Sequence, residues 1–178
     1  MVRTFTLMAA ALLAAPVLAE DAKYALTGEN TTIKFVGKKT DGKHEGGFKK
    51  LTGTATCGGD PTTLKIECEI DCDSLYSDDE KLTGHLKGPD FFGVKENPKA
   101  TFKSTKVEKD GDKVKITGDL TLLGKTKPVT LTCTCEHKDG ALGLKSEFTI
   151  DRTAWGMTYG EGKIEKEVAL KLTIACKK

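Results

Sequence analysis

The chain has 178 residues, with 28 lysines and arginines against 26 aspartates and glutamates, and aromatic residues make up only 6% of it. Near balance of charge argues against nucleic acid as a partner, since phosphate binding needs a net basic surface. No apolar run beyond the N-terminal segment approaches the length of a membrane span. The first residues read as a secretory signal: Arg3 gives a basic start, residues 5–15 an apolar stretch, and Val17-Leu18-Ala19 a small-residue cleavage site. Cleavage after Ala19 is expected, leaving residues 20–178 as one exported domain large enough for a real core. The next residue is Glu20 rather than cysteine, so no lipid-anchored N-terminus is expected.

In chain order, residues 31–36 place Ile33 and Phe35 on one face of a first strand, with Thr32 and Lys34 opposite. Gly42, Gly46 and Gly47 read as a flexible turn. A second strand over 48–57 puts Leu51, Gly53, Ala55 and Cys57 on one side, where small residues leave interior room. Gly58-Gly59-Asp60-Pro61 turns the chain. The third strand, 62–72, aligns Leu64, Ile66, Cys68, Ile70 and Cys72. Ser77-Asp78-Asp79-Glu80 then fits a capping box with Ser77 as the cap, predicting a short helix that carries Leu82 and Leu86 on one side. Gly88-Pro89 stops it, and Asp90 is placed to cap a last turn bearing Phe91 and Phe92. Two adjacent phenylalanines are unfavourable in water, so the insert 77–92 should fold over something apolar, such as the rim of a barrel.

A fourth strand spans 100–107, and Asp110-Gly111 forms a hairpin turn into a fifth over 113–122. Residues 124–128 turn again, the sixth strand takes 129–136, and Asp139-Gly140 leads to the seventh. That strand aligns Leu142, Leu144, Ser146, Phe148 and Ile150. A glycine-rich loop over 153–162 holds Trp155, Met157 and Tyr159. The eighth strand alternates Val168, Leu170, Leu172, Ile174 and Cys176 with polar or small residues. The fold class predicted is all-β: an eight-stranded antiparallel barrel with a short helical insert between strands 3 and 4, a two-sheet sandwich being the alternative.

Little in the chain resembles catalytic machinery. His44, His85 and His137 are not spaced as ligand pairs, and no Gly-x-Ser-x-Gly elbow, phosphate loop or Cys-x-x-Cys-His site occurs. No cofactor and no metal are expected. Asp90, Glu45 and Asp151 lack an evident acid/base partner. Arg152, the only arginine beyond Ala19, lies just before Trp155, where a guanidinium suits either a head-group contact or a structural ion pair. With alternating strands, Cys57, Cys133, Cys135 and Cys176 fall at the closed base, Cys72 toward the lid and Cys68 between. Any disulfide should therefore sit at the base, with a four-thiolate zinc site as a minor alternative. What remains is an apolar interior suited to a hydrocarbon chain, unless Phe35, Phe102, Leu131 and Phe148 simply fill it.

His85-Leu86-Lys87-Gly88-Pro89-Asp90-Phe91-Phe92, Asn97-Pro98 with Ala100-Thr101-Phe102-Lys103-Ser104, Gly118-Asp119-Leu120-Thr121-Leu122, Lys127-Pro128-Val129, and Asp151-Arg152 with Trp155-Gly156-Met157 together resemble the YceI-like family across residues 20–178. Asn30 stands where many relatives of that family carry histidine. The resemblance implies a lipocalin-like barrel, exported to the periplasm, that binds polyisoprenoids or related amphiphiles. It also implies isoprenoid quinones as plausible ligands and a membrane electron-transfer protein as a partner. The expectation is a periplasmic or secreted lipid-binding protein, not an enzyme, with Phe35, Phe91, Phe102, Leu120, Leu131, Phe148, Trp155 and Arg152 around the ligand. The alternatives are an exported enzyme on an apolar substrate and a thiol-based redox or metal protein.

Overall fold

The computed structural model describes residues 21–177; the expected signal segment lies outside them. The alternating stretches become β1 (Ala22–Thr27), β2 (Thr31–Lys39), β3 (Gly42–Phe48), β4 (Leu51–Cys57), β5 (Lys65–Asp71) and β6 (Leu75–Ser77). After the helix α1 (Glu80–Lys87) come β7 (Lys99–Asp110), β8 (Lys113–Leu122), β9 (Lys125–Lys138), β10 (Ala141–Asp151) and β11 (Ile164–Lys177). They form one curled antiparallel sheet in the order β1-β4-β5-β7-β8-β9-β10-β11-β2-β3-β6.

Eleven strands thus replace the expected eight, and bending is the reason. β3 runs into β4, and β5 into β6, across a shared corner where the ladder does not lapse. There the Lys49 N–H donates to the Ser74 carbonyl (3.2 Å) and the Asp71 N–H to the Lys50 carbonyl (3.1 Å). The Ser74 hydroxyl accepts further bonds from the N–H groups of Lys49 (3.2 Å) and Lys50 (2.9 Å). Because β5 and β6 are successive pieces of one bent run near opposite ends of the strand order, the sheet comes round on itself. β1 and β2 are similarly divided, by a turn in which the Asn30 side-chain oxygen accepts from the Thr27 N–H (2.9 Å). The expected flexible turn around Gly42, Gly46 and Gly47 is instead strand β3, paired with β2 from Lys39↔Gly42 to Ile33↔Phe48.

Glycine in that strand has a packing role. Gly46 lies directly across from Phe35, and a Cβ on Gly46 would overlap the Phe35 ring. Gly118 on β8 gives up the same space to Phe102, and a Cβ there would also come within 2.6 Å of the Lys103 carbonyl oxygen. Each aromatic ring is laid across a glycine rather than thrust into the interior.

The base of the barrel is filled. Leu64, Ile116, Leu142, Leu144 and Cys133 are fully buried there, and Tyr24 joins them with its hydroxyl 2.8 Å from His137 Nε2. At the other end sits α1. Its cap is Asp79, whose carboxylate accepts from the Leu82 N–H at 2.7 Å, and not Ser77 as the capping-box pattern suggests. The Ser77 hydroxyl is already engaged by the Asp79 carbonyl (2.7 Å) and by the Thr83 hydroxyl (2.9 Å). Phe91 is buried and Phe92 packs partly buried against the core, so the insert does cover the apolar rim.

Gly118→Ala should lower stability by about 1–3 kcal/mol, the usual cost of overpacking. Urea denaturation with an unchanged m-value would register this as a lower midpoint; no shift would mean that Phe102 moves aside freely.

Candidate ligand-binding site

The inner faces of the strands enclose a cavity of about 360 Å³, within the range of small-molecule sites. Alternation places Ile33 and Phe35 of β2, Ile66, Cys68 and Ile70 of β5, and Leu170, Leu172 and Ile174 of β11 on its walls. Phe48 meets Phe92 edge-on at 5.6 Å between ring centroids, which ties the lid to the wall. Leu82 and Leu86 of α1 reach the cavity from above, so the expected apolar side of the helix does face inward. The interior is not plugged by its own side chains.

Of the residues expected around a ligand, Phe35, Phe91, Phe102, Leu120, Leu131, Phe148 and Arg152 line this space. Trp155 does not. It is 3% exposed, packed in the core behind the wall, with its indole N–H donated to the Leu120 carbonyl at 3.1 Å. A tryptophan in a glycine-rich loop suggests an adaptable gate, but the segment Arg152–Trp155 is a 3-10 turn that pins it inward. Met157 occupies the cavity wall in its place.

Arg152 is 5% exposed and forms no ion pair among the described residues. Its guanidinium donates instead to three backbone carbonyls: Glu165 from Nε (3.0 Å), Ile164 from Nη2 (3.2 Å), and Met157 from Nη1. Burial holds its basicity below that of a free guanidinium. The structural ion pair considered for it is absent, because the Asp151 carboxylate is taken by the N–H (2.8 Å) and hydroxyl (2.6 Å) of Thr153. The side chain therefore staples the start of β11 to the loop before it and presents a charge to the cavity wall.

All six cysteines are free thiols in this structure, and the disulfide expected at the base is not found. The Cys57 thiol donates to the Gly58 carbonyl (3.5 Å) and the Cys176 thiol to the Ala25 carbonyl (3.6 Å). Burial pushes Cys68, Cys72, Cys133 and Cys135 up to about 11, so they are protonated near neutral pH and poor nucleophiles or metal ligands. Among the described residues no group of three or more cysteine, histidine or acidic side chains is placed to hold a metal. His44 meets Asp78 at 2.9 Å and His85 meets Asp90 at 3.0 Å, each pair on the surface. Asp90, expected as a helix cap, is thus the partner of His85. Among the described residues no aspartate or glutamate lines the cavity, which leaves no carboxylate of theirs there for acid/base work.

The YceI-like domain family matches residues 24–176. The chain is 45% identical to protein YceI of Escherichia coli O157:H7 over 87 residues, 48% of this chain and 46% of that protein, so the match spans about half the relative's length. It is 33% identical to protein YceI of Salmonella arizonae over 72% of this chain and 71% of that one. Among solved structures, BcnA of Burkholderia cenocepacia superposes with a TM-score of 0.74 at 27% identity, covering 82% of this chain and 95% of that one. A polyisoprenoid binding domain from Saccharophagus degradans shares the fold with a TM-score of 0.67 at 12% identity, over 89% and 99% of the two chains.

Two outcomes follow from the raised thiol pKa values. Six thiols should titrate with a disulfide-independent thiol reagent after denaturation, against few in the native protein at pH 7.5; fewer than six without reductant would reveal a bridge. Stability should be level below pH 9, because the unfolded thiol ionises near 9, and should fall as pH rises through about 11, where the folded thiols finally ionise. Melting temperatures between pH 8 and 11 would show the decline, and a flat profile would contradict it.

Proposed function

The chain belongs to the YceI-like family, and from that premise we propose that it is an exported lipid-binding protein holding an isoprenoid-type chain in its barrel. The observation carrying this reading is the open, apolar cavity beneath the α1 lid, walled by leucine, isoleucine and phenylalanine side chains. Each methylene moved from water into such a wall is worth about 0.8 kcal/mol, so a prenyl tail of several isoprene units needs few polar contacts to be held. The solved polyisoprenoid binding domain that shares the fold supports the same class of ligand.

Binding rather than catalysis fits the lining, which offers hydrophobic surface and no carboxylate. Periplasmic or secreted location, after removal of residues 1–19, belongs to the same proposal, resting on the signal-like N-terminal sequence. If the cargo is a quinone, a membrane electron-transfer protein is the partner this reading carries.

Native mass spectrometry on protein purified from its own host, followed by lipid extraction, tests it. Copurifying isoprenoid lipid near one per chain is the expected result, and a uniformly empty protein that also takes up none from vesicles would refute it. Val129→Phe, which fills part of the lumen from the wall, should cut lipid occupancy severalfold while leaving the melting temperature within a few degrees.

A further inference from the structure

Among the described residues, the cavity lining includes the basic side chains Lys38, Lys39, His44, Arg152 and Lys171 and no carboxylate. Lys38, Lys39, His44 and Arg152 gather at one end, whereas Lys171 lies midway along β11, opposite Lys34. Lys39 closes β2 and pairs in register with Ile164 of β11, whose carbonyl accepts from Arg152. His44 sits opposite Gly37, two residues earlier on β2, and Gly37 is opposite Val168. The ends of β2, β3 and β11 therefore bring an imidazole, an ammonium and a guanidinium to the same rim, below which the wall is apolar.

Resting on the lipid-binding reading above, we propose that the ligand is an amphiphile with an oxyanion head group, a phosphate or a carboxylate, seated at this rim by Arg152, Lys39 and His44. A guanidinium has five N–H donors; three of those on Arg152 are spent on carbonyls, which solvate the charge without neutralising it. An arginine so deeply buried is ordinarily paired, and no carboxylate contacts it among the described residues. Asp151 and Glu161 are near enough to favour its charge without bonding to it, and an incoming anion would give it a direct partner. Nearby acids do not forestall this. Asp41 touches Lys39 at 3.5 Å but is itself largely in solvent, and Asp78 engages Nδ1 of His44, leaving Nε2 unengaged among the described residues. Lys171 is held by Glu147 at 2.8 Å, so it contributes less. Glu45 is occupied by Lys43 at 2.7 Å. A neutral alcohol or quinone would leave the rim charges as they are.

The test uses delipidated full-length mature protein carrying N-phenyl-1-naphthylamine, a neutral fluorescent probe, displaced in turn by geranylgeraniol, geranylgeranyl phosphate and palmitate in low salt. The phosphate should act at a concentration at least tenfold below that of the alcohol, and the advantage should shrink in 0.5 M salt. In K39Q/H44Q the ratio of phosphate to alcohol should narrow at least threefold. Palmitate matching the prenyl phosphate would extend the site to carboxylates, and palmitate failing would assign it to phosphate; both support the oxyanion rim. Equal displacement by alcohol and phosphate would overturn the head-group assignment while leaving the lipid cavity standing. A phosphate advantage untouched in K39Q/H44Q would overturn the rim as its source. Failure of all three to displace the probe would remove the lipid-binding reading, and this inference with it.

Discussion

The structure depends on how a single curled sheet deals with its inner face. An antiparallel sheet with one apolar side must bury it, and here that side curls to face itself, with the lid closing one end. The base solves this by contact: Tyr24 of β1 is buried in one cluster with Leu142, Leu144 and Ile116. Higher up the walls diverge beyond the reach of their own side chains. An apolar space remains, and the lid helix with Phe91 and Phe92 shields it from water.

Keeping that space open is a property of particular residues. Phe35 and Phe102 are large enough to occupy much of it, yet the tip of each ring sits over Gly46 or Gly118, in the space a Cβ would fill. Glycine weakens a strand by roughly 0.5–1 kcal/mol relative to alanine, so these positions trade backbone stability for interior room. The same logic explains the bends. Splitting β3 from β4 and β5 from β6 at the Ser74 corner lets the wall turn sharply without losing its hydrogen bonds. A smooth strand of that length would close the barrel less tightly.

Much of this was legible in the sequence because alternation survives wherever one face is buried. β8 spans 113–122 as expected, and β11 shows the long inward series ending in Ile174 and Cys176. The apolar side of α1 and the grouping of four cysteines toward the base follow from the same periodicity. What failed were features decided by one atom's neighbours. Asp79 rather than Ser77 caps α1 because the Ser77 hydroxyl has two other partners. Trp155 leaves the cavity because its N–H finds the Leu120 carbonyl. Gly42, Gly46 and Gly47 resemble a turn because nothing in the sequence tells that Phe35 of the neighbouring strand takes the space beside Gly46. The basic rim was invisible for another reason: Lys39, His44 and Arg152 are far apart in sequence, and only strand register joins them.

Taken together, the two ends of the barrel are chemically unlike, and this dictates orientation. The base is closed by packed side chains and by the Tyr24–His137 contact, and its thiols are protonated at neutral pH, so it offers nothing to a charged group. The mouth carries cations and faces solvent. On the proposed reading, an amphiphile in this lumen would go in tail first and keep its head at the rim, where leaving water costs least. Passing the tail between α1 and β11 requires the lid to yield, and α1 is suited to that. It buries no residue fully, and the ion pairs that tie its two ends to the wall, His44–Asp78 and Lys87–Asp73, lie on the surface. Exposed pairs of this kind are worth about 0–1 kcal/mol each, so what resists opening is chiefly the lid's own apolar contact with the wall, Phe92 on Phe48, which a tail passing beneath it would replace with its own burial.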